Sequence, residues 1–243
     1  MRKIIKFFCV MLCFVLIFPV AAACSGDCTI TFDIGEDAGM MEPMTVAKGT
    51  AVTEEEIEKP ELTGYSFEGW YIENDKVEFP YTIKKSVKFT AQWNINTYSI
   101  TYNLNGGAGV SNRTYTINDL PFNLPGASAL ERANYSFGGW YSNSDLTGTS
   151  VTRITVENIG NKIYYVKWIP DVYSIVYNLN GGAFPTGTTV LESYSYGSII
   201  RLPFPEKAAA SFGGWFTNEQ LNGEPVEEIN GATGDKEFWA AYH

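Results

Sequence analysis

Apolar and polar residues alternate strictly from Tyr98 to Leu104. Tyr98, Ile100, Tyr102 and Leu104 fall on one face, and Ser99, Thr101 and Asn103 on the other. A period of two predicts a strand with one buried and one wet face. Asn105-Gly106-Gly107 follows at once, and Asn-Gly readily takes positive φ at both central positions of a type I′ hairpin turn. A less distinct return strand is expected near residues 113–117. The same phrase returns at Tyr173 to Gly182, with Asn180-Gly181-Gly182 as its turn and a return strand near residues 188–196. A weaker copy, Thr29-Ile-Thr-Phe-Asp-Ile-Gly35, lies upstream.

Two further blocks recur in the same order. Tyr65-Ser-Phe-Glu-Gly-Trp-Tyr71 comes back as Tyr135-Ser-Phe-Gly-Gly-Trp-Tyr141 and as Ala210-Ser-Phe-Gly-Gly-Trp-Phe216. Each unit then closes on Phe89-Thr-Ala-Gln-Trp93, Tyr164-Tyr-Val-Lys-Trp168 or Phe238-Trp-Ala-Ala-Tyr242. Three blocks in fixed order at a spacing of about seventy residues are the mark of tandem modules. The divisions read from the chain are a signal segment over 1–23, an N-terminal tether over 24–28, and repeats over 29–95, 96–170 and 171–243.

Units of this size bury a small fraction of their surface and need large apolar side chains inside. Trp70, Trp140 and Trp215, with the closing residues Trp93, Trp168 and Tyr242, are therefore expected in the cores rather than at a ligand. Gly69, Gly139 and Gly214, each just before a Trp, should relieve a bend or admit a neighbouring backbone. The proline-bearing stretches around residues 120–125 and 202–205 read as extended edges or crossings, because proline removes a ladder donor. Thr53-Glu54-Glu55-Glu56 has the spacing of a capping box and predicts one short helix over residues 53–59, a pattern expected only in the first unit. The linkers, residues 94–97 and 169–172, are too short to act as free tethers. The units should stand end to end in an elongated array.

The start of the chain adds a destination. Arg2, Lys3 and Lys6 precede an uncharged, mostly apolar stretch from Phe7 to Ala23, as in a secretory signal. Ala21-Ala22-Ala23-Cys24 resembles a bacterial lipobox, although Ala21 stands where that pattern carries Leu, and it also suits ordinary cleavage after Ala23. Lipidation at Cys24 would anchor the chain to a membrane, and with no tail or second apolar stretch after Tyr242-His243 the N-terminus is the expected point of attachment. Without a lipid, Cys24 and Cys28 could form a small loop in an oxidising compartment, but neither can staple the repeats.

Charge and composition exclude more than they assign. The net charge is −10, and losing the leader would remove three cations and no acid. An acidic surface argues against nucleic acid and anionic lipid as general partners. His243 is the only histidine, so neither a Ser-His-Asp triad nor a His-ligated metal site is available. No nucleophile elbow or phosphate loop occurs. Glu54, Glu55 and Glu56 read as a solvated face, and Asp33, Glu36 and Asp37 lack EF-hand spacing. No cofactor is expected, and the chain is not expected to be an enzyme.

Taken together, Tyr-x-Ile-x-Tyr-x-Leu-Asn-Gly-Gly, Tyr-x-Phe-x-Gly-Trp-Tyr and Tyr-x-Ala-x-Trp resemble the Listeria–Bacteroides repeat, or internalin B-repeat, family. The resemblance runs from about Thr29 to Tyr242 and is sharpest in the second and third units. In the first, Asp33-Ile34-Gly35-Glu36 replaces the Asn-Gly-Gly turn. It implies a mostly β (α+β) fold of three small β-grasp-like modules displayed on an exported bacterial protein. Adhesion, spacing or protein contact is the implied role, with no catalytic residues. The alternative is a carbohydrate-binding module using exposed aromatics, for which Phe122, Phe184 and Phe204 are the rings to watch. The ligand, protein or glycan, is not specified by these residues.

Overall fold

A computed structural model describes residues 26–243. The signal segment and the lipidation candidate Cys24 lie outside them. The fold divides into two compact units. One runs through Leu62 and resumes over Phe67–Asn94; the other holds Thr63–Ser66 and Ile95–His243.

One sheet plan occurs three times. In the first repeat β1 (Asp27–Asp33) pairs antiparallel with β2 (Met44–Ala47) and parallel with β7 (Val87–Ile95), and β4 (Tyr65–Ile72) lies on the far side of β7, followed by β5 (Asp75–Lys76). A separate ribbon joins β3 (Ala51–Val52) to β6 (Tyr81–Thr82). The second repeat repeats the order with β8 (Tyr98–Asn103), β9 (Arg113–Tyr115), β11 (Tyr135–Tyr141) and β13 (Lys162–Pro170), and its ribbon is β10 (Phe122–Asn123) with β12 (Arg153–Ile154). The third uses β14 (Val172–Asn178), β15 (Ser193–Ser195), β17 (Phe212–Phe216) and β19 (Lys236–Tyr242), with β16 (Ile199–Arg201) and β18 (Glu228–Asn230) as the ribbon. The first and last strands of each repeat run parallel at the sheet centre, so each module closes on itself in space as well as in sequence.

The alternation predicted for Tyr98 to Leu104 is present. Ile100 and Tyr102 are buried, Tyr98 and Leu104 half-buried, and Ser99, Thr101 and Asn103 exposed. Each repeat has its own core, centred on Trp70, Trp140 or Trp215, and each of these side chains is only 2% exposed. A buried tryptophan removes on the order of 150–250 Å² from water, worth about 4–6 kcal/mol at ~25 cal/mol per Å². No other single side chain can contribute as much to a module this small. Around each indole sits the aromatic of the opening strand: Phe32 at 5.1 Å, Tyr102 at 4.9 Å and Tyr177 at 5.1 Å between ring centroids. The tilted geometry suits ring quadrupoles.

In repeats two and three the glycine before the tryptophan sits at a bulge. The register of β11 against β13 shifts between Phe137 and Trp140, and that of β17 against β19 between Phe212 and Gly214. Gly139 and Gly214 adopt φ 110° and 121°, which an L side chain rarely does. The bulge turns the Trp into the core while the preceding Phe stays on the same side.

Three expectations are corrected. The capping box at Thr53 exists, with the backbone N–H and the hydroxyl of Thr53 donating to the Glu56 carboxylate at 2.7 and 3.1 Å. It closes only a 3-10 turn over Glu54–Glu56 and not a helix to residue 59, because Pro60 follows within a turn and residue 57 returns to extended backbone. Nor is it confined to the first repeat: Thr116 with Asp119 and Thr155 with Asn158 form the same device in the second. These acceptors are Asp and Asn, which a search for Thr-x-x-Glu passes over. Finally, β1 starts at Asp27, so Asp27 and Cys28 belong to the first strand, with Cys28 buried beside Ile30 in the core.

Candidate functional site

The Asn-Gly-Gly turns are the most chemically specific feature shared by repeats two and three. Asn105 and Gly106 take φ 46° and 84°, Asn180 and Gly181 φ 45° and 81°. The Gly107 N–H donates to Leu104 O, and Gly182 N–H to Leu179 O, both at 2.9 Å. These are tight turns with two left-handed central residues, as Asn-Gly favours. They do not lead directly into a return strand. Instead Ala108 bridges to Glu131 and Ala183 to Glu206, and the return strands begin only at Arg113 and Ser193.

Each residue of the turn has a second task. The Asn side chain reaches the closing strand, with Asn105 Nδ2 donating to Val166 O at 2.6 Å and Asn180 Nδ2 to Ala240 O at 2.7 Å. A basic side chain from the next segment caps the turn carbonyl: Arg132 on Asn105 O at 3.0 Å and Lys207 on Asn180 O at 2.8 Å. The second glycine leaves room for the closing aromatic. A Cβ on Gly107 would lie 2.3 Å from Trp168 Cζ2, and one on Gly182 would overlap the Tyr242 hydroxyl. Trp168 is half-buried and donates through Nε1 to Leu104 O at 2.8 Å; Trp93 does the same to Ile34 O at 3.1 Å. Tyr242, also half-buried, has a hydroxyl with no protein partner. The turn is thus a clasp between the first and last strands. The core tryptophans are clasped too, Trp140 Nε1 donating to Pro125 O and Trp215 Nε1 to Pro203 O at 2.7 Å each. Those proline carbonyls are a use of the proline stretches that their sequence does not advertise.

The three watched rings separate. Phe122 is half-buried under Arg113, whose guanidinium carbon lies 4.4 Å from the ring centroid, and packs on Tyr115. Phe184 is half-buried against Tyr177 and Trp215. Phe204 alone is open, 71% exposed, touching Phe212 edge-on at 5.7 Å. It borders a cleft of about 200 Å³ that also includes Phe212, Trp215, Pro225 and Glu227. The equivalent residue in repeat two, one past the carbonyl that receives the Trp indole, is Gly126.

Titration is perturbed in the wrong direction for an acid catalyst. Asp33 is held below the usual carboxylate range by its hydrogen bond from Lys88, a contact of 2.8 Å. Asp119 and Asp235 are lowered by backbone N–H groups of Thr116 and Ser174, and Glu157 by the Thr155 hydroxyl. These are exposed carboxylates tied into turns, whereas glycoside hydrolysis needs one carboxyl raised by burial beside another. Among the described residues no group of three His, Cys, Asp or Glu side chains is placed to hold a metal, and Asp33 is already engaged by Lys88. No helix of the described residues is long and apolar enough to cross a membrane.

Comparison with known proteins places these modules. The model of the Listeria-Bacteroides repeat domain matches residues 29–95, 98–165 and 173–240. Two proteins of Evansella cellulosilytica are similar. One, provisionally named a membrane protein, is 32% identical over 171 residues, 68% of this chain and 24% of its own length. The other, provisionally named a Gly-rich membrane protein, is 29% identical over 198 residues, 79% of this chain and 22% of its own. The chain therefore spans less than a quarter of the length of these relatives.

Proposed function

Because this chain belongs to the Listeria–Bacteroides repeat family, with three tandem copies of its non-catalytic domain, we propose that it is an exported bacterial surface protein. Its repeats both space and present a contact surface for a protein ligand. The observation that carries this reading is the use made of the motifs: the Asn-Gly-Gly turns, the Gly-Trp blocks and the closing aromatics are all spent on closing and filling the modules. Ligand contact is left to the variable residues of the outer surface, as on repeat scaffolds generally. The signal-like leader and Cys24 belong to the same proposal, with Cys24 as the site of a lipid anchor. The names of the two relatives, both of membrane proteins, support a membrane association. On whole cells, the repeats should be cleaved by added protease. The Cys24→Ser variant should move from the detergent phase to the culture medium; retention of that variant in the detergent phase would end the lipid-anchor reading.

A second reading, carbohydrate binding, is favoured by one observation, the open ring of Phe204 at a cleft that Glu227 also lines. Aromatic platforms of this kind stack on apolar sugar faces. The mature chain and its Phe204→Ala variant, tested together on glycan and surface-protein arrays, separate the two readings. Glycan binding lost in the variant favours the module; protein binding indifferent to it favours the surface-contact role.

A further inference from the structure

Residue 171 lies in the four-residue stretch between the last strand motif of repeat two and the first of repeat three. Three of its groups are held at once. Its N–H donates to Asn134 O at 2.9 Å, its carbonyl accepts from Tyr196 N–H at 2.8 Å, and its carboxylate accepts from Ser136 Oγ at 2.8 Å. Asn134 and Ser136 belong to repeat two, Tyr196 to repeat three. The two sides also touch directly. Tyr173 donates its hydroxyl to Asn134 Oδ1 at 3.1 Å, and the rings of Tyr135 and Tyr196 meet edge-to-face at 5.5 Å. Arg132 lies over the Tyr135 ring, its guanidinium carbon 4.0 Å from the centroid.

Tyr135 opens the Tyr-Ser-Phe-Gly-Gly-Trp block, yet it is not among the residues of its own core cluster. Its partner is across the junction. The same compact unit contains a second set of these contacts. Asn96 N–H donates to Gly64 O at 2.9 Å, Ser66 Oγ to Asn96 Oδ1 at 2.6 Å, and Asn96 Nδ2 to the Tyr98 hydroxyl at 3.3 Å. Gly64 and Asn134 both have positive φ, 84° and 64°. Ile117 occupies the place of Tyr196, so close that a Cβ on Gly64 would lie 2.7 Å from its Cβ. Two of the hub's three bonds thus recur, with Asn96 for Asp171, Gly64 for Asn134 and Ser66 for Ser136, while Ile117 stands in the place of Tyr196 by packing alone. Recurrence with different residues points to a selected arrangement of backbone, not to one favourable side-chain pair.

We propose that Asp171 is the hub of a latch that makes the second and third repeats move as one body, with Asn134 and Ser136 gripping it from one side and Tyr196 from the other. A short linker limits reach but leaves its φ and ψ angles free. Fixing both backbone groups and the side chain of one linker residue removes that freedom. These hydrogen bonds, made by half-buried and exposed groups, and an aromatic pair then resist hinge bending, which is the default between domains joined by a small interface.

The test measures distances between nitroxides at Thr149→Cys and Thr189→Cys, both exposed, in the mature chain carrying Cys24→Ser and Cys28→Ala. A single narrow distribution is expected. It should at least double in width in the Asp171→Ala, Ser136→Ala, Tyr196→Ala triple variant, with near-UV circular dichroism verifying intact cores. Asp171→Asn and Tyr196→Ile, which install the residues of the second set, should keep the narrow distribution. A broad distribution in the parent chain, an unchanged width in the triple variant, or broadening by the two conservative replacements would each overturn the latch. The measurement needs no ligand, so it stands apart from the question of what the surface binds.

Discussion

Repeat one and repeat two reach the same core by different closures. Both set a fully buried indole against the aromatic of the opening strand, and in both the closing-strand Trp donates to a main-chain carbonyl just past that strand, Ile34 or Leu104. The turn that supplies the carbonyl is otherwise unlike. Repeat two has left-handed Asn105-Gly106 and an amide reaching Val166 O; repeat one has Gly35 at φ 85° before a 3-10 turn over Glu36–Ala38, tied down by Lys88 on Asp33. Repeat three varies the opposite partner. It keeps the Asn180 turn but closes on Tyr242, whose hydroxyl finds no acceptor. The central Trp and the parallel pairing of first and last strands are therefore the constant part, and the clasp is a replaceable fitting around them.

The largest effect tests the constant part. Trp140→Ala should cost roughly 3–5 kcal/mol as a large-to-small core change, enough to unfold a module of this size. Trp70→Ala and Trp215→Ala should cost about the same despite their different clasps. Denaturant titrations of the mature chain, followed by backbone amide signals from each repeat, report the losses separately. If one of the three were tolerated within about 0.5 kcal/mol, that repeat would have a different centre of stability, and the comparison would fail there.

The clasp is sharpened by a smaller change. Gly107→Ala forces a methyl against Trp168 and to within 2.9 Å of Glu131 O, so the closing Trp or the backbone at Glu131 must shift. Overpacking of this kind costs about 1–3 kcal/mol. Gly126→Ala is the control: φ there is −91° and no heavy atom lies within 4 Å of the added Cβ. It should change the free energy of unfolding by no more than about 0.5 kcal/mol. Equal effects at the two glycines would mean that the clasp accommodates a methyl and that the close approach of Trp168 does not require Gly107.

These outcomes bear on what a reader of the sequence can see. Strand periodicity, the order of the blocks and the large rings carry strong local signals, and the bulges were foreshadowed by Gly139 and Gly214 standing just before their tryptophans. The clasp was half legible. Asn-Gly announces its own φ angles, but the reach of Asn105 to Val166 spans most of a repeat and depends on the parallel pairing of β8 with β13, which no local pattern encodes. The two-stranded ribbons were not legible either, because two or three residues are too few to establish a period. Asp171 and Tyr196 gave no signal, being single residues whose partners are set by the packing of one module on the next. Phe204 could be named as a non-repeat aromatic, but only coordinates separate its exposure from the burial of Phe184.

The smallest expected effect turns the comparison on one hydroxyl. Where repeat one has Phe32, repeat three has Tyr177, and the Tyr177 hydroxyl is buried without a hydrogen-bond partner. Burial pushes that phenol up from 10.0 to about 12. An unsatisfied buried hydroxyl opposes folding, so Tyr177→Phe should leave stability at pH 7 unchanged or raise it by up to about 1 kcal/mol. The sign of the pH effect follows from linkage. Below pH 10 the phenol keeps its proton folded and unfolded, and contributes no slope. Between pH 10 and about 12 the unfolded chain releases the proton while the folded chain retains it, so stability falls as pH rises, levelling beyond the folded value. Tyr102, Tyr164, Tyr194 and Tyr242 are raised in the same direction by burial, so the variant should lessen the alkaline loss rather than abolish it. Urea midpoints of the parent and Tyr177→Phe chains at pH 7 and pH 11 measure the difference. A larger gap between the two proteins at pH 11 than at pH 7 is expected. A variant that loses stability at both pH values would show that the hydroxyl is satisfied in solution, and that phenylalanine in repeat one and tyrosine in repeat three are not equivalent ways of packing the same indole.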